Sequence, residues 1–430
     1  MLWNRSPAMA AAVLAILFTT RALAASLQPA ASPESAGMSS ERLARLDRAM
    51  QEEVDQKRKA GIITLVARHG QIVQLKAYGY ADVQSGRKMQ TDSLVRLFSM
   101  TKPITSVALL TLYEQGKFQL NDPLEKYIPA FANVKVFAGL DAKGAMILEA
   151  PKRKITIQDV FRHTAGFVYA FGPTTPVDKS YLDAGISFAK LNSLDELVQK
   201  VAAQPLLYRP GEQWVYSVAH DVQAYLVEKL SGMRFEEYCR KVIFEPLGMK
   251  DTVFGVPAQV RARYTSMYGT DKDGHLYRIE APGGVSTSMF GSYDRYVDKP
   301  FGGLSLSATI TDYLKFAQML LNGGELDGTR ILGRKTVELM TMNHLPPNIP
   351  SISFEKGKGY GLGVSVLESA AANGNEGSKG MFGWAGAAST WVNMDPKEEL
   401  VMLVFTQYMP ADFEFGNRVQ NLVYQAITGP

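Results

Sequence analysis

Two apolar hairpin patterns, one near each end of the chain, constrain its fold more than any other feature. Near the N-terminus, residues 62–67 and 72–77 are apolar runs joined by Arg68-His69-Gly70-Gln71, an antiparallel hairpin signal. Near the C-terminus, residues 388–394 and 400–406 are extended runs joined by Asp395-Pro396-Lys397-Glu398-Glu399. A helix accompanies each hairpin. Leu43, Leu46, Met50 and Val54 recur on one face after the capping residues Ser39 or Ser40, and Gly61 is expected to stop that helix. A last helix is expected over 412–427. A hairpin needs partners to bury its apolar face, so the economical arrangement is one antiparallel sheet built from both ends and covered by terminal helices. The expected class is therefore α+β, an α/β sandwich. Its discontinuous α/β domain takes residues 26–118 and 300–430, with an extended run at 94–98, a helix from about 100 to 115, a helix at 311–321 and a strand at 360–367. A mostly helical domain, 119–299, is inserted between, with helical patterns at 193–203, 221–230 and 235–244 separated by Gly/Pro/aromatic loops.

Residues 1–25 are expected to be a signal peptide outside the fold. Arg5 is the positive start, Ala10 to Phe18 is apolar, and Ala22-Leu23-Ala24 offers a small-x-small cleavage signal near Ala24 or Ala25. The apolar run falls well short of the roughly 20 residues of a membrane span. The expectation is a periplasmic or secreted protein with no stable membrane insertion after cleavage. The formal charge of +4 is too small to argue for nucleic acid, and Arg5 and Arg21 supply part of it. One cysteine, Cys239, excludes an internal disulfide and reads as a packing residue. The histidines at 69, 163, 220, 275 and 344 show no paired ligand spacing, so neither a metal nor an organic cofactor is expected.

The chemistry centres on Ser99-Met100-Thr101-Lys102. Ser-x-x-Lys also occurs at Ser85/Lys88, Ser187/Lys190 and Ser353/Lys356, but those three sit in turn or loop contexts. Only Ser99 opens a long apolar helix directly after an extended run. Three residues apart on a helix, Ser99 and Lys102 share a face. The unpaired first-turn N–H groups favour an oxyanion. Apolar packing can desolvate Lys102 and lower its pKa toward a usable base. Read locally, Ser99 as a plain helix cap beside a surface lysine is the more common arrangement and stays open.

Phe98-Ser99-Met100-Thr101-Lys102-Pro103-Ile104-Thr105 resembles the nucleophile segment of family VIII carboxylesterases, relatives of class C β-lactamases and D-Ala-D-Ala carboxypeptidases. Further segments resemble that family in its order: Phe161-Arg162-His163-Thr164-Ala165-Gly166, then Tyr208 through Ser217, Phe244-Glu245-Pro246-Leu247-Gly248-Met249, Gly359-Tyr360-Gly361-Leu362-Gly363 and Gly383-Trp384-Ala385-Gly386-Ala387. The likeness spans about residues 35–425. It implies a β-lactamase/transpeptidase-like fold and a serine hydrolase working through an acyl-enzyme. Ser99 would be the nucleophile, and Lys102 and Tyr216 would share the acid–base work. The Ser99 and Ala387 backbone N–H groups would form the oxyanion hole. Trp384 would be an apolar wall, and Gly386 would let the strand approach the substrate.

The β-lactamase triplets Tyr-x-Asn and Lys-Thr-Gly are both absent. Val218 stands in place of the Asn and Trp384 in place of the Lys, which removes polar anchors and favours neutral, apolar acyl groups. The expected activity is hydrolysis of short-chain or neutral esters. A β-lactamase, a D-amino-acid-type peptidase or acyltransferase, and a non-catalytic peptidoglycan-binding protein remain alternatives. A Ser–His arrangement using His163 or His220 is also open, whereas the Gly-x-Ser-x-Gly elbow of α/β-hydrolases is incomplete. The substrate is expected to be a small-molecule ester, with a β-lactam as the variant case, and the oligomeric state is not legible. Among the aromatics Phe167, Tyr169, Phe171, Tyr293 and Tyr296, some are expected to line the acyl pocket.

Overall fold

The computed structural model describes residues 27–169, 171–172, 174–279 and 292–430, so the expected signal peptide lies outside the described residues. Its centre is an eight-stranded antiparallel sheet. The strands are β1 (Gly61–Arg68), β2 (Gln71–Asp82), β3 (Arg87–Lys88), β4 (Lys358–Tyr360), β5 (Ser365–Leu367), β6 (Phe382–Gly386), β7 (Thr390–Asp395) and β8 (Leu400–Thr406). Their order is β4-β5-β6-β7-β8-β1-β2-β3. The two expected hairpins meet in the middle, where β1 pairs with β8 from Ile62↔Thr406 to Arg68↔Leu400.

Every residue of β1 is buried because both faces of the sheet are covered. On the outer face, Ile62 and Val66 pack with Leu43, Leu46 and Met50 of α1 (Ser40–Asp55), and with Phe415, Val419 and Val423 of the C-terminal helix Phe413–Tyr424. On the inner face, Ile63, Leu65 and Ala67 join the main core. That core contains α2 (Thr101–Glu114), whose residues from Thr101 to Leu112 are all buried. Beyond α2 lie α3 (Ala219–Ser231) and α4 (Ile310–Leu321). The C-terminal helix is α5. Among the described residues no helix is long and apolar enough to cross a membrane.

Several expected boundaries move. The first helix ends at Asp55, before Gly61, where Lys57 turns to φ +57°. The single strand expected at 360–367 is two, β4 and β5, folded back at Gly361–Val364 with Gly363 at φ +95°. The extended run at 94–98 contributes only Val95–Arg96, which pairs with Leu306–Ala308 in a small separate sheet. Residues 119–279 also hold two hairpins, Val136–Leu140 with Met146–Glu149 and Tyr268–Thr270 with Leu276–Arg278.

One buried ion cluster fixes the loop that runs toward the site. Thr156 caps the short helix Ile157–Phe161, and Asp159 answers it in a capping box. The fully buried Asp159 carboxylate also accepts from Arg153, Arg162 and Thr164. Burial would raise its pKa, but the Arg153 and Thr156 hydrogen bonds outweigh that and hold it below the ordinary carboxylate range. Asp159→Ala should therefore cost about 3 kcal/mol in urea unfolding, because it leaves the largely buried Arg162 guanidinium without its carboxylate and removes half of the capping box. The wild-type advantage should be complete above the unfolded carboxyl pKa of about 4. It should shrink as pH falls toward the depressed folded value. A difference that grows on acidification would contradict this account.

Candidate active site

The chain reaches Ser99 through a strained turn. Leu97 N–H donates to the Leu306 carbonyl at 2.9 Å, which carries the Val95–Arg96 strand pairing one residue further. Phe98 then takes φ +45°, a conformation that bulky residues avoid. Its contacts hold it there. The Phe98 N–H donates to the Tyr293 hydroxyl at 3.3 Å, and the two rings meet edge to face at 5.2 Å. Phe98 and Met100 are buried, while Ser99 between them is partly exposed. Ser99 sits in the single 3-10 turn Phe98–Met100, one turn ahead of α2 rather than on its first residue.

Lys102, in the first turn of α2, is fully buried and not a surface charge. Its Nζ lies 3.1 Å from Ser99 Oγ and donates to the Gly303 carbonyl at 2.8 Å. Tyr216, just ahead of α3, donates its hydroxyl to Ser99 Oγ at 2.6 Å. The ammonium site is also 4.7 Å from the Tyr216 ring centre and 5.1 Å from that of Tyr169. Segments remote in sequence thus converge on one oxygen atom.

Asp221 completes the arrangement and was not anticipated. It lies on the first turn of α3, buried, and its Oδ1 accepts from the Gly303 N–H at 2.8 Å. One residue, Gly303, therefore donates its N–H to Asp221 and accepts from Lys102 at its carbonyl, through the two peptide groups that flank its Cα. Burial pushes the Lys102 amine down, and the nearby Asp221 charge pulls it partly back. Burial pushes the Asp221 carboxyl up, and Lys102 opposes that in turn. The Tyr216 phenol is also raised by burial, so it is a neutral donor near pH 7. The sequence signal for Asp221 was only its place one helical turn and a residue beyond Tyr216.

β6 borders the nucleophile. At its C-terminal end Gly386 has the Leu97 carbonyl so close that a Cβ would lie 2.3 Å from the oxygen. The Ser99 and Ala387 N–H groups find no acceptor among the described residues. β5 pairs with β6 only at Gly383 and Phe382. Trp384, Ala385 and Gly386 pair with β7 alone, which leaves an open strand edge facing the serine.

A cavity of about 240 Å³ opens at this point. Of the expected pocket residues, Tyr169, Phe171, Trp384, Gly386 and Ala387 line it. Phe167 does not: it is wholly buried against Phe131, with ring centres 5.4 Å apart. Tyr293 and Tyr296 do not either, because they are buried in the packing around Phe98, where Tyr293 supports the strained turn. Val218 is also fully buried and offers nothing to a ligand. Phe354 and Phe413 line the cavity unanticipated.

The two candidate histidines form a buried pair, with ring centres 4.8 Å apart. His163 Nδ1 lies 3.1 Å from Ser217 Oγ, and neither ring hydrogen-bonds Ser99. Burial holds both well below the usual imidazole pKa. Asp271, Asp273 and His275 come together with metal-ligand spacing among the described residues, but they are exposed at a hairpin turn and none lines the cavity.

Comparison with known proteins identifies the family and the fold. The Beta-lactamase family matches residues 46–425. Protein Rv1367c of Mycobacterium tuberculosis is 32% identical over 361 residues, covering 82% of this chain and 86% of the relative. Esterase EstB of Burkholderia gladioli is 27% identical over 422 residues, covering 95% and 96%. The solved structure of EstCE1, described as a hydrolase with promiscuous acyltransferase activity, superposes with a TM-score of 0.74 at 25% identity, covering 89% of this chain and 99% of that one. With its β-lactamase/transpeptidase-like sheet and helices, this chain belongs to the Beta-lactamase family, as one of its serine hydrolases.

Proposed function

We propose that the protein is an exported serine carboxylesterase that hydrolyses short-chain or neutral esters through an acyl-enzyme on Ser99. The observation that carries this reading is the convergence of Lys102 Nζ and Tyr216 OH on Ser99 Oγ, at 3.1 and 2.6 Å, beside an open strand edge. Export rests on the charged, apolar and small-residue pattern of residues 1–25.

In this mechanism the neutral Lys102 amine takes the Ser99 proton as Oγ bonds to the ester carbonyl carbon. The carbonyl electron pair moves onto oxygen, and the Ser99 and Ala387 N–H groups hold the resulting anion. When the anion collapses, the bond to the alcohol oxygen breaks. Tyr216 protonates that oxygen and recovers a proton from Lys102. Water then attacks the acyl carbon and gives a proton to the same pair, and as the second anion collapses the bond to Ser99 Oγ breaks and the pair returns that proton to Oγ, releasing the acid. An alcohol in place of water gives acyl transfer by the same steps. Apolar walls and the loss of a cation at Trp384 support neutral esters over anionic lactams.

A short p-nitrophenyl ester and a chromogenic cephalosporin test the reading together. The ester should be hydrolysed well and the cephalosporin slowly or not at all. Ser99→Ala should lower ester kcat/KM by roughly 10⁴-fold or more. Tyr216→Phe should lower it by roughly 10²–10⁴-fold. Rapid cephalosporin turnover with negligible ester hydrolysis would move the protein to the lactamase class.

The pH profile tests the amine. A lysine with a lowered pKa is the active base only when deprotonated, so activity should fall on the acid side as Lys102 takes up a proton. Asp221 raises that pKa. Asp221→Asn should therefore shift the acid limb of kcat/KM to lower pH. A limb that stays in place or moves upward would show that the two groups are not coupled in this sense.

A further inference from the structure

The cavity does not end at the nucleophile. From the open edge of β6 it continues onto the outer face of the sheet, the face that carries α5. Register fixes which residues point there. Ala385 is paired with Trp391 and Trp391 with Val404, while Gly383, Asn393 and Met402 form the adjacent row. Met402 and Val404 pack beneath α5. At β6 this face carries only Gly383 and Ala385, so the space between the strand and α5 is unfilled. Ala411, in the loop after β8, and Val419 of α5 close its far side.

The rim of this space is conspicuously apolar. Phe171, Phe354 and Phe413 are all about half exposed, at 56%, 48% and 47%, and they are the exposed phenylalanines among the described residues. All three line this one cavity. Large exposed aromatics gathered at a concave opening mark a ligand site more than a surface defect. The one charged pair in the lining, Lys358 and Glu355, is closed on itself at 2.9 Å.

We propose that this channel between β6 and α5 receives the hydrocarbon chain of the ester, making Ala385 and Ala411 specificity-determining residues. The proposal rests on the esterase reading, since the chain enters as the continuation of a carbonyl held at Ser99. A channel that begins at the reacting serine and is only about 240 Å³ suits a chain attached to that carbonyl. The chain comes from either the acyl or the alcohol half, and the two halves are separable by experiment.

Two ester series decide it: p-nitrophenyl acetate to octanoate for the acyl half, and ethyl to octyl acetate for the alcohol half. In one series kcat/KM should rise roughly three- to fourfold per added methylene until the channel is filled. The rising series identifies the half. Ala385→Leu and Ala411→Phe should each reduce the longest-to-shortest ratio in that series at least tenfold. Ratios unchanged in both variants would overturn the proposal. Ala411 lies in a loop, so its variant carries the test if Ala385→Leu does not fold. If no ester is hydrolysed, the esterase reading has failed and binding of 1-octanol, followed by tryptophan fluorescence, tests the channel directly. Binding at least tenfold weaker in Ala411→Phe than in the wild type supports the channel. Equal binding, or none to the wild type, overturns it.

Discussion

A lysine amine sealed inside the protein governs the arrangement of everything around it. Lys102 has no exposed surface. An isolated ammonium in such a place costs several kcal/mol, so the chain must either neutralise it or pair it. It does some of each. Burial drives the amine toward its neutral form, and Gly303 connects it to Asp221, its carbonyl accepting from the amine and its N–H donating to the carboxylate. That connection requires glycine twice. A Cβ on Gly302 would lie 2.3 Å from the His220 carbonyl, and one on Gly303 would lie 2.7 Å from the Tyr169 hydroxyl and 2.9 Å from Asp221. Two bare residues let the loop wedge between α2 and α3. The same closeness sets the distance between the amine and Ser99.

The other half of the site is made by strain rather than by charge. Phe98 is bulky and has positive φ, which costs on the order of 1–3 kcal/mol. The Tyr293 contacts and the strand pairing at Val95–Arg96 supply the compensation. Tyr293 was expected in the pocket wall. It is better described as the support that keeps the turn bent, and its burial follows from that role. Without the bend the chain would enter α2 as an ordinary helix start, and the serine would be one more cap.

How much of this was legible depended on whether the signal was local. The central hairpins were readable because their apolar runs are bounded by turn residues, and the observed β1 and β8 lie within two residues of expectation. The region at 360–367 misled because both of its strands are buried, so the apolar run continues through the Gly361-Leu362-Gly363 turn. Phe167 and Tyr169 are indistinguishable in sequence, two aromatics in one loop. Only packing separates the one against Phe131 from the one beside Lys102. Asp221 gave even less away. An acid on the first turn of a helix normally reads as a solvated partner of the helix dipole. Its burial is a consequence of where α2 and the Gly302-Gly303 loop end up, which no local pattern encodes.

The walls of the cleft also explain why an amine and a phenol, not an imidazole, address the serine. His163 and His220 are close by but packed against each other, with their rings tilted, in a buried aromatic cluster in which His163 also meets Trp214, Tyr216 and Tyr360. Burial keeps them neutral, and His163 packs on the Tyr216 ring rather than reaching Ser99. Trp384 closes the same cluster from the sheet side, 5.6 Å from Tyr216 and 5.2 Å from Tyr360. A cation at position 384 would have to sit among these rings, against the same Tyr216 ring that Lys102 lies over. Like charges in a desolvated space repel strongly, which would push the Lys102 amine further down. An aromatic there avoids that conflict and gives up a carboxylate anchor in exchange. The residue at 384 thus bears on both the wall of the cleft and the surroundings of the buried base, because it packs on the same Tyr216 ring that Lys102 lies over.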